Sequence, residues 1–208
     1  RPGFPSDQYG FTTEERLRYG PLGIEYLLSG HDIEFLRGQR LPASSCWNPM
    51  PGAADCMMFN PLELRHMEDV KQVLQAAFAA ALGFGAAACI SMLILWQRAR
   101  WRIRAGLIQG SLLTLLAIFS VIITAALAWN VFFTLFHSFF FAPGTWQFYY
   151  SDTLIRLYPE QFWFDAALAI AVFAILCTGT ILFMMSRWQP DEAGQTSVSG
   201  SYLDEVTG

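Results

Sequence analysis

Two histidines carry the pattern with the most chemical content. His66 stands in FNPLELRHMEDVKQVL, six residues before the uncharged run that starts at Gln72. His137 closes another uncharged run, in NVFFTLFHSFFFAPGTWQFYYSD. Histidine is the side chain best placed to move protons near neutral pH. Glu63 and Asp69 are each three residues from His66, so on a helix both share its face, whereas Glu68 turns elsewhere. Asp152 follows the aromatic stretch, and Asp165 comes just before a third uncharged run. A histidine pair, nearby carboxylates and an aromatic wall would suit a reaction on a lipid. Taken singly, each feature also has a plainer reading. A lone histidine fits a membrane interface, the run from Phe132 to Tyr150 fits an interfacial aromatic belt, and Glu68 and Asp69 complement a helix N-terminus.

The elements that must position these residues follow from hydropathy. The chain has 208 residues, 54% hydrophobic and 14% charged, which is a membrane-protein composition. Charge is absent from 72–97, 105–136 and 166–186. Each run reaches the roughly 20 residues that a ~30 Å hydrocarbon core requires. The expected architecture is all-α: a polytopic membrane helical bundle with spans over about 70–97, 105–136 and 164–187, joined on one side by an aromatic loop at 137–163. A helix descending from His66 and one ascending to His137 bring the two to nearly the same depth.

Arginines set the expected orientation. QRARWRIR, between the first two spans, holds four Arg and should be cytoplasmic, whereas the loop between the second and third carries only Arg156 and should face outside. Residues 1–60 are then an extracytoplasmic cap on a bundle at 61–187, and 188–208 a polar, Gly/Ser-rich cytoplasmic tail expected to be disordered. Nothing in 1–60 would carry it across a membrane, so a further N-terminal helix or signal is expected upstream of Arg1. Within the cap, Thr12 and Glu15 suit a capping box, Gly20-Pro21 should interrupt the helix, and HDIEFLR should form a third short helix. Asn60, Pro61 and Glu63 mark the start of the first long helix. Cys46 and Cys56 either pair in an oxidising compartment or stay as thiols, Cys89 and Cys177 are packing residues, and His31 is a surface residue. The net charge of −4 and the lack of a basic stripe exclude a nucleic-acid partner.

The two histidine blocks and SDTLIRLYPEQFW resemble the membrane family that contains the bacterial lipoprotein intramolecular transacylase. The marks are His66-Met67, Asp69-Val70, Phe136-His137, Phe140, Trp146, Asp152, Leu154-Ile155, Leu157, Pro159 and Phe162, with QYGFTTEER in the outer segment. The likeness covers most of 8–186. It implies four transmembrane helices with a cap between the first and second. It also implies an enzyme of the bacterial cytoplasmic membrane that moves an acyl chain from the glyceryl sn-2 ester of a diacylglyceryl-cysteine lipoprotein to the cysteine α-amine, with His66 and His137 as the essential histidines. Aminolysis needs a base for the amine proton and a donor for the oxyanion, and attack within one molecule needs no acyl-enzyme. His66 is the preferred base, because Glu63 or Asp69 would raise its basicity. Trp146, Tyr149, Tyr150 and Asp152, with Glu63 and Asp69, are candidates for positioning substrate. No cofactor or metal is expected, since HMED lacks the second histidine of a metalloprotease helix. The competing readings are a non-catalytic subunit packed against other membrane subunits, a haem or metal site on the histidines, and a transporter.

Overall fold

The computed structural model describes residues 6–42, 46 and 56–190. It is all-helical in the described residues: α1 Thr13–Leu28, α2 Glu34–Arg37, α3 Pro61–Arg98, α4 Arg100–Leu127, α5 Trp129–Phe140, α6 Thr153–Leu157 and α7 Glu160–Arg187. The one extended pairing among them is an isolated bridge between Arg40 and Met57. α3, α4 and α7 are long and apolar enough to cross a membrane. Their large side chains, among them Leu82, Phe84, Leu113 and Phe173, are exposed, as lipid-facing surfaces must be. The tail from 191 and most of the Pro-rich loop, 43–45 and 47–55, lie outside the described residues.

The chain divides into two compact units, one of residues 1–80 and 124–169, the other of 81–123 and 170–208. The second holds the arginines at the junction of α3 and α4, Arg98, Arg100, Arg102 and Arg104, and Arg187 at the end of α7. Only Ala99 separates α3 from α4, so the arginines expected in a loop occupy helix ends. Trp96 stacks on Trp188 at 5.9 Å, Arg100 lies over Trp96, and Arg104 Nε donates to the Met185 carbonyl at 3.0 Å. Such amphipathic rings beside arginines suit a membrane–water boundary. Thr114, Ser120 and Thr180 return their hydroxyls to carbonyls four residues back, which satisfies these three donors within the apolar helices. Cys89 and Cys177, expected to pack, are exposed on α3 and α7.

The first unit contains both histidine segments and a core built from several elements. Phe11, Tyr26, Leu36, Met58 and Phe59 pack with Leu64 and Met67 of α3 and Leu154, Leu157 and Tyr158 from α6 and its end. A short cap cannot bury enough apolar surface alone, and here it shares its core with α3 and α6. Cys46 and Cys56 form a disulfide with Cα atoms 5.7 Å apart. α1 starts with the reciprocal Thr12–Glu15 box. It does not stop at Pro21 as expected but runs on to Leu28. A proline removes one donor and tends to break a helix. Tertiary contact offsets that loss: the Tyr158 hydroxyl donates to the Gly20 carbonyl and rests against Gly23. Burial pushes the Tyr158 phenol up to about 12, so it remains a donor.

Gly23 is required by this approach, because a Cβ there would collide with the Tyr158 hydroxyl and Cζ. Gly23→Ala is expected to destabilise the unit by ~1–3 kcal/mol, the usual range for overpacking. The check is thermal unfolding in detergent, with the penalty smaller in a Tyr158→Phe background. Equal penalties in both backgrounds would show that the phenol is not what the methyl meets.

The second uncharged run is also not one helix. Ala128, at φ −151° and ψ 62°, separates α4 from α5. The uncharged pattern carries no sign of this break. Trp129 packs on Phe132 and Phe133 and meets Phe164 edge-on at 5.6 Å, and these ring contacts offset the interrupted ladder.

Candidate active site

α3 presents Glu63, Leu64, His66 and Met67 to the interior of the first unit, the one-and-four spacing of a buried helical stripe. Its first turn is fixed by a capping box: Asn60 Oδ1 accepts from the Glu63 N–H at 2.9 Å, and Glu63 Oε2 accepts from the Asn60 N–H at 2.7 Å. The second oxygen, Oε1, accepts from the Leu154 N–H of α6 at 2.7 Å. Thr153 adds a bond from its hydroxyl to the Met58 carbonyl. Glu63 therefore clamps α3 to α6, one turn before His66, rather than reaching His66 itself. Nδ1 of His66 is buried with no hydrogen-bond partner. Asp69 is half-buried, and no hydrogen bond joins it to His66 among the described residues.

The structure brings the two histidines together. Their ring centroids are 6.2 Å apart, with planes inclined by 24°. That is too far for a direct imidazole–imidazole hydrogen bond. Phe141 is shared by both, 4.9 Å from His66 and 5.7 Å from His137. Phe148 meets His66 edge-on at 5.3 Å. Phe133, Phe136 and Trp146 enclose His137 at 3.9, 5.5 and 5.0 Å. Rings from the aromatic run thus pack around the pair.

His137 Nδ1 lies 2.8 Å from the Phe133 carbonyl, one turn back on α5. A carbonyl oxygen only accepts, so Nδ1 carries the proton and the neutral ring keeps its lone pair on Nε2. α5 lies outside the three apolar spans. Burial lowers the His137 pKa, and the bond to Phe133 opposes that in part. The ring is therefore neutral near pH 7, with a free basic nitrogen. Sequence reasoning found the residue but not this tautomer, which depends on a main-chain atom.

Trp146 reaches His137 through a tight reversal. In Ala142-Pro143-Gly144-Thr145, Gly144 has φ +82° and the Thr145 N–H returns to the Ala142 carbonyl at 3.2 Å. Proline second and a left-handed glycine third are the residues a type II turn demands. The Trp146 Nε1 is buried without a hydrogen-bond partner. Asp152 is buried next to the clamp: Oδ2 accepts from the Tyr149 N–H at 2.8 Å, and Oδ1 is unpartnered. Tyr149 and Tyr150 are exposed, and neither ring contacts a histidine. Two cavities on this unit, about 430 and 280 Å³, lie away from the pair. The larger is lined by Arg37, Arg65 and Glu68 among others, the smaller by Asp7, Arg16, Tyr150 and Arg156 among others. Among the described residues no cluster of metal-ligating side chains occurs.

The family model described as lipoprotein intramolecular transacylase Lit matches residues 24–163, which include both histidines. A curated relative from Aquifex aeolicus, described as an uncharacterized protein, is 32% identical over 186 residues, covering 88% of this chain and 77% of its own length. No solved structure matches the chain.

Proposed function

The chain belongs to the lipoprotein intramolecular transacylase family, and from that premise we propose that it transfers an acyl chain from a glyceryl ester to the α-amine of the same diacylglyceryl-cysteine lipoprotein. The observation that carries the reading is the imidazole pair, 6.2 Å apart, enclosed by aromatic rings. In this mechanism His137 Nε2 takes a proton from the attacking amine as the C–N bond forms and the carbonyl electron pair moves onto oxygen. His66 supplies the complementary N–H. Its buried Nδ1 has no partner, a position better left as a lone pair than as a bare donor, which puts its proton on Nε2. The tetrahedral species collapses with cleavage of the C–O bond, and the departing oxygen takes the proton that His137 Nε2 received from the amine, which returns the ring to its neutral form. The products are an amide and a free glyceryl hydroxyl, and no acyl-enzyme is formed. These roles reverse the preference that the neighbouring carboxylates gave His66, because Glu63 is committed to backbone donors and His137 holds the fixed tautomer.

The reading includes a place and an orientation. The histidine end of α3 faces outward and the arginine end faces the cytoplasm, in the bacterial cytoplasmic membrane, where lipid and lipoprotein substrates reach the pair from the outer leaflet. The test is conversion of a synthetic diacylated lipopeptide by purified protein, followed by mass spectrometry, where ester-to-amide transfer changes the fragments but not the mass. An unchanged lipopeptide with folded protein would refute the proposal.

The pH dependence follows from two groups. A free α-amino group has a pKa of about 7.7–8.0 and must be neutral to attack. His137 must also be neutral, and burial places its ionisation below the ordinary 6.5. As pH falls below the amine value, log kcat/KM is expected to drop with a slope of one. It should steepen towards two once His137 also becomes protonated, since protonation removes the base. A slope that stays at one throughout the acid range in which the protein remains folded would remove His137 from the base role.

A further inference from the structure

We propose that the Trp146 indole N–H donates a hydrogen bond to the carbonyl oxygen of the scissile ester and holds the oxyanion that forms there. The inference rests on the acyl-transfer reading and assigns it a donor from outside the histidine pair. An indole nitrogen can only donate. At Trp146 that donor is buried and unpartnered, and its ring lies 5.0 Å from His137. Buried donors are almost always satisfied, and an exception calls for an explanation. A ligand that satisfies this one must present a bare acceptor, which an ester carbonyl does and an alkyl chain or an ammonium does not.

The scaffold around the indole is built to hold it. The Pro143-Gly144 reversal sets the direction of the chain, and Thr145, itself buried, returns both its N–H and its hydroxyl to Ala142. Phe133, whose carbonyl fixes the His137 tautomer, also meets the Trp146 ring edge-on at 6.3 Å. Base and donor are therefore referenced to one turn of α5, the preorganisation that makes an oxyanion donor effective. Charge moves onto the carbonyl oxygen only as the C–N bond forms, so the bond strengthens in the transition state.

The experiment replaces Trp146 with 3-benzothienylalanine, which keeps the ring shape and lacks the N–H. The substrate is a synthetic lipopeptide carrying a dipalmitoylglyceryl-cysteine. Loss of one such donor is expected to lower kcat by about 10²–10³-fold with little change in KM. A thionoester version of the substrate supplies the control that packing alone would not affect. The native protein should discriminate strongly against carbonyl sulfur, a poor acceptor, and the substituted protein should discriminate much less. Undiminished kcat, a defect confined to KM, or unchanged sulfur discrimination would each overturn the assignment. If the substituted protein does not fold, sulfur discrimination by Trp146→Phe relative to the native protein decides instead. Activity that survives in His137→Ala would instead undo the acyl-transfer mechanism on which the inference rests.

Discussion

His137→Ala is expected to lower transacylation by about 10²–10⁴-fold, the usual contribution of a positioned general base, and His66→Ala by a comparable factor. The expectation for His137 comes from its hydrogen bond. With Nδ1–H held by the Phe133 carbonyl, Nε2 is the one ring nitrogen free to accept a proton. Alanine removes both the proposed base and a ring packed on Phe133 and Trp146, so loss of activity must be separated from loss of fold. Near-UV circular dichroism and thermal unfolding supply that control. Added imidazole should restore part of the rate to His137→Ala, since it refills the space with the same base. If the two histidines serve one step, the double variant should be little worse than either single one, because residues that act as a unit are strongly non-additive. Multiplied defects would place them in separate steps, and substantial activity in either single variant would eliminate the two-histidine mechanism.

The histidine site could be read from sequence to the extent that it depends on depth in the membrane. One uncharged run closes at His137 and the other begins six residues after His66, so helices of opposite direction are expected to hold the two near one level. In the structure the two ring centroids are 6.2 Å apart. Local grammar was equally legible. Both capping boxes, Thr12 with Glu15 and Asn60 with Glu63, have their bonds in place. What could not be read depends on partners distant in the chain. Pro21 stays helical because Tyr158 supports α1 around it, and Ala128 breaks an uncharged run because Trp129 has ring partners to meet. Glu63 announces itself as a cap, but nothing local tells that its other oxygen holds the Leu154 N–H. Charge counting sees Arg156 only as one positive loop residue, although it is buried.

Asp7→Ala is expected to destabilise the first unit by about 3–5 kcal/mol, because it strands the buried Arg156 guanidinium without its counter-charge. Both side chains are almost fully buried, at 4% and 6% exposure, so solvent screens the pair little. The geometry is well satisfied. Arg156 Nη2 and Nε donate to Asp7 Oδ2 at 3.0 and 3.2 Å, and Nη2 also donates to the Tyr9 carbonyl at 3.0 Å. The Phe11 N–H donates to the same carboxylate at 2.7 Å, and the Phe11 ring lies 3.9 Å from the guanidinium carbon. Replacing both charges with apolar residues, Asp7→Leu with Arg156→Met, should be far milder than Asp7→Ala, since a buried pair repays little beyond its own desolvation. Thermal unfolding in detergent distinguishes the cases, and a double variant as damaged as the single one would show that packing, not the stranded charge, sets the penalty. The consequence reaches the candidate site through α6. Arg156 sits two residues after Leu154, whose N–H holds Glu63, and Glu63 lies one turn before His66. Loosening the cap at Asp7 should therefore lower kcat in protein that is still folded, while the compensated double variant should recover much of it.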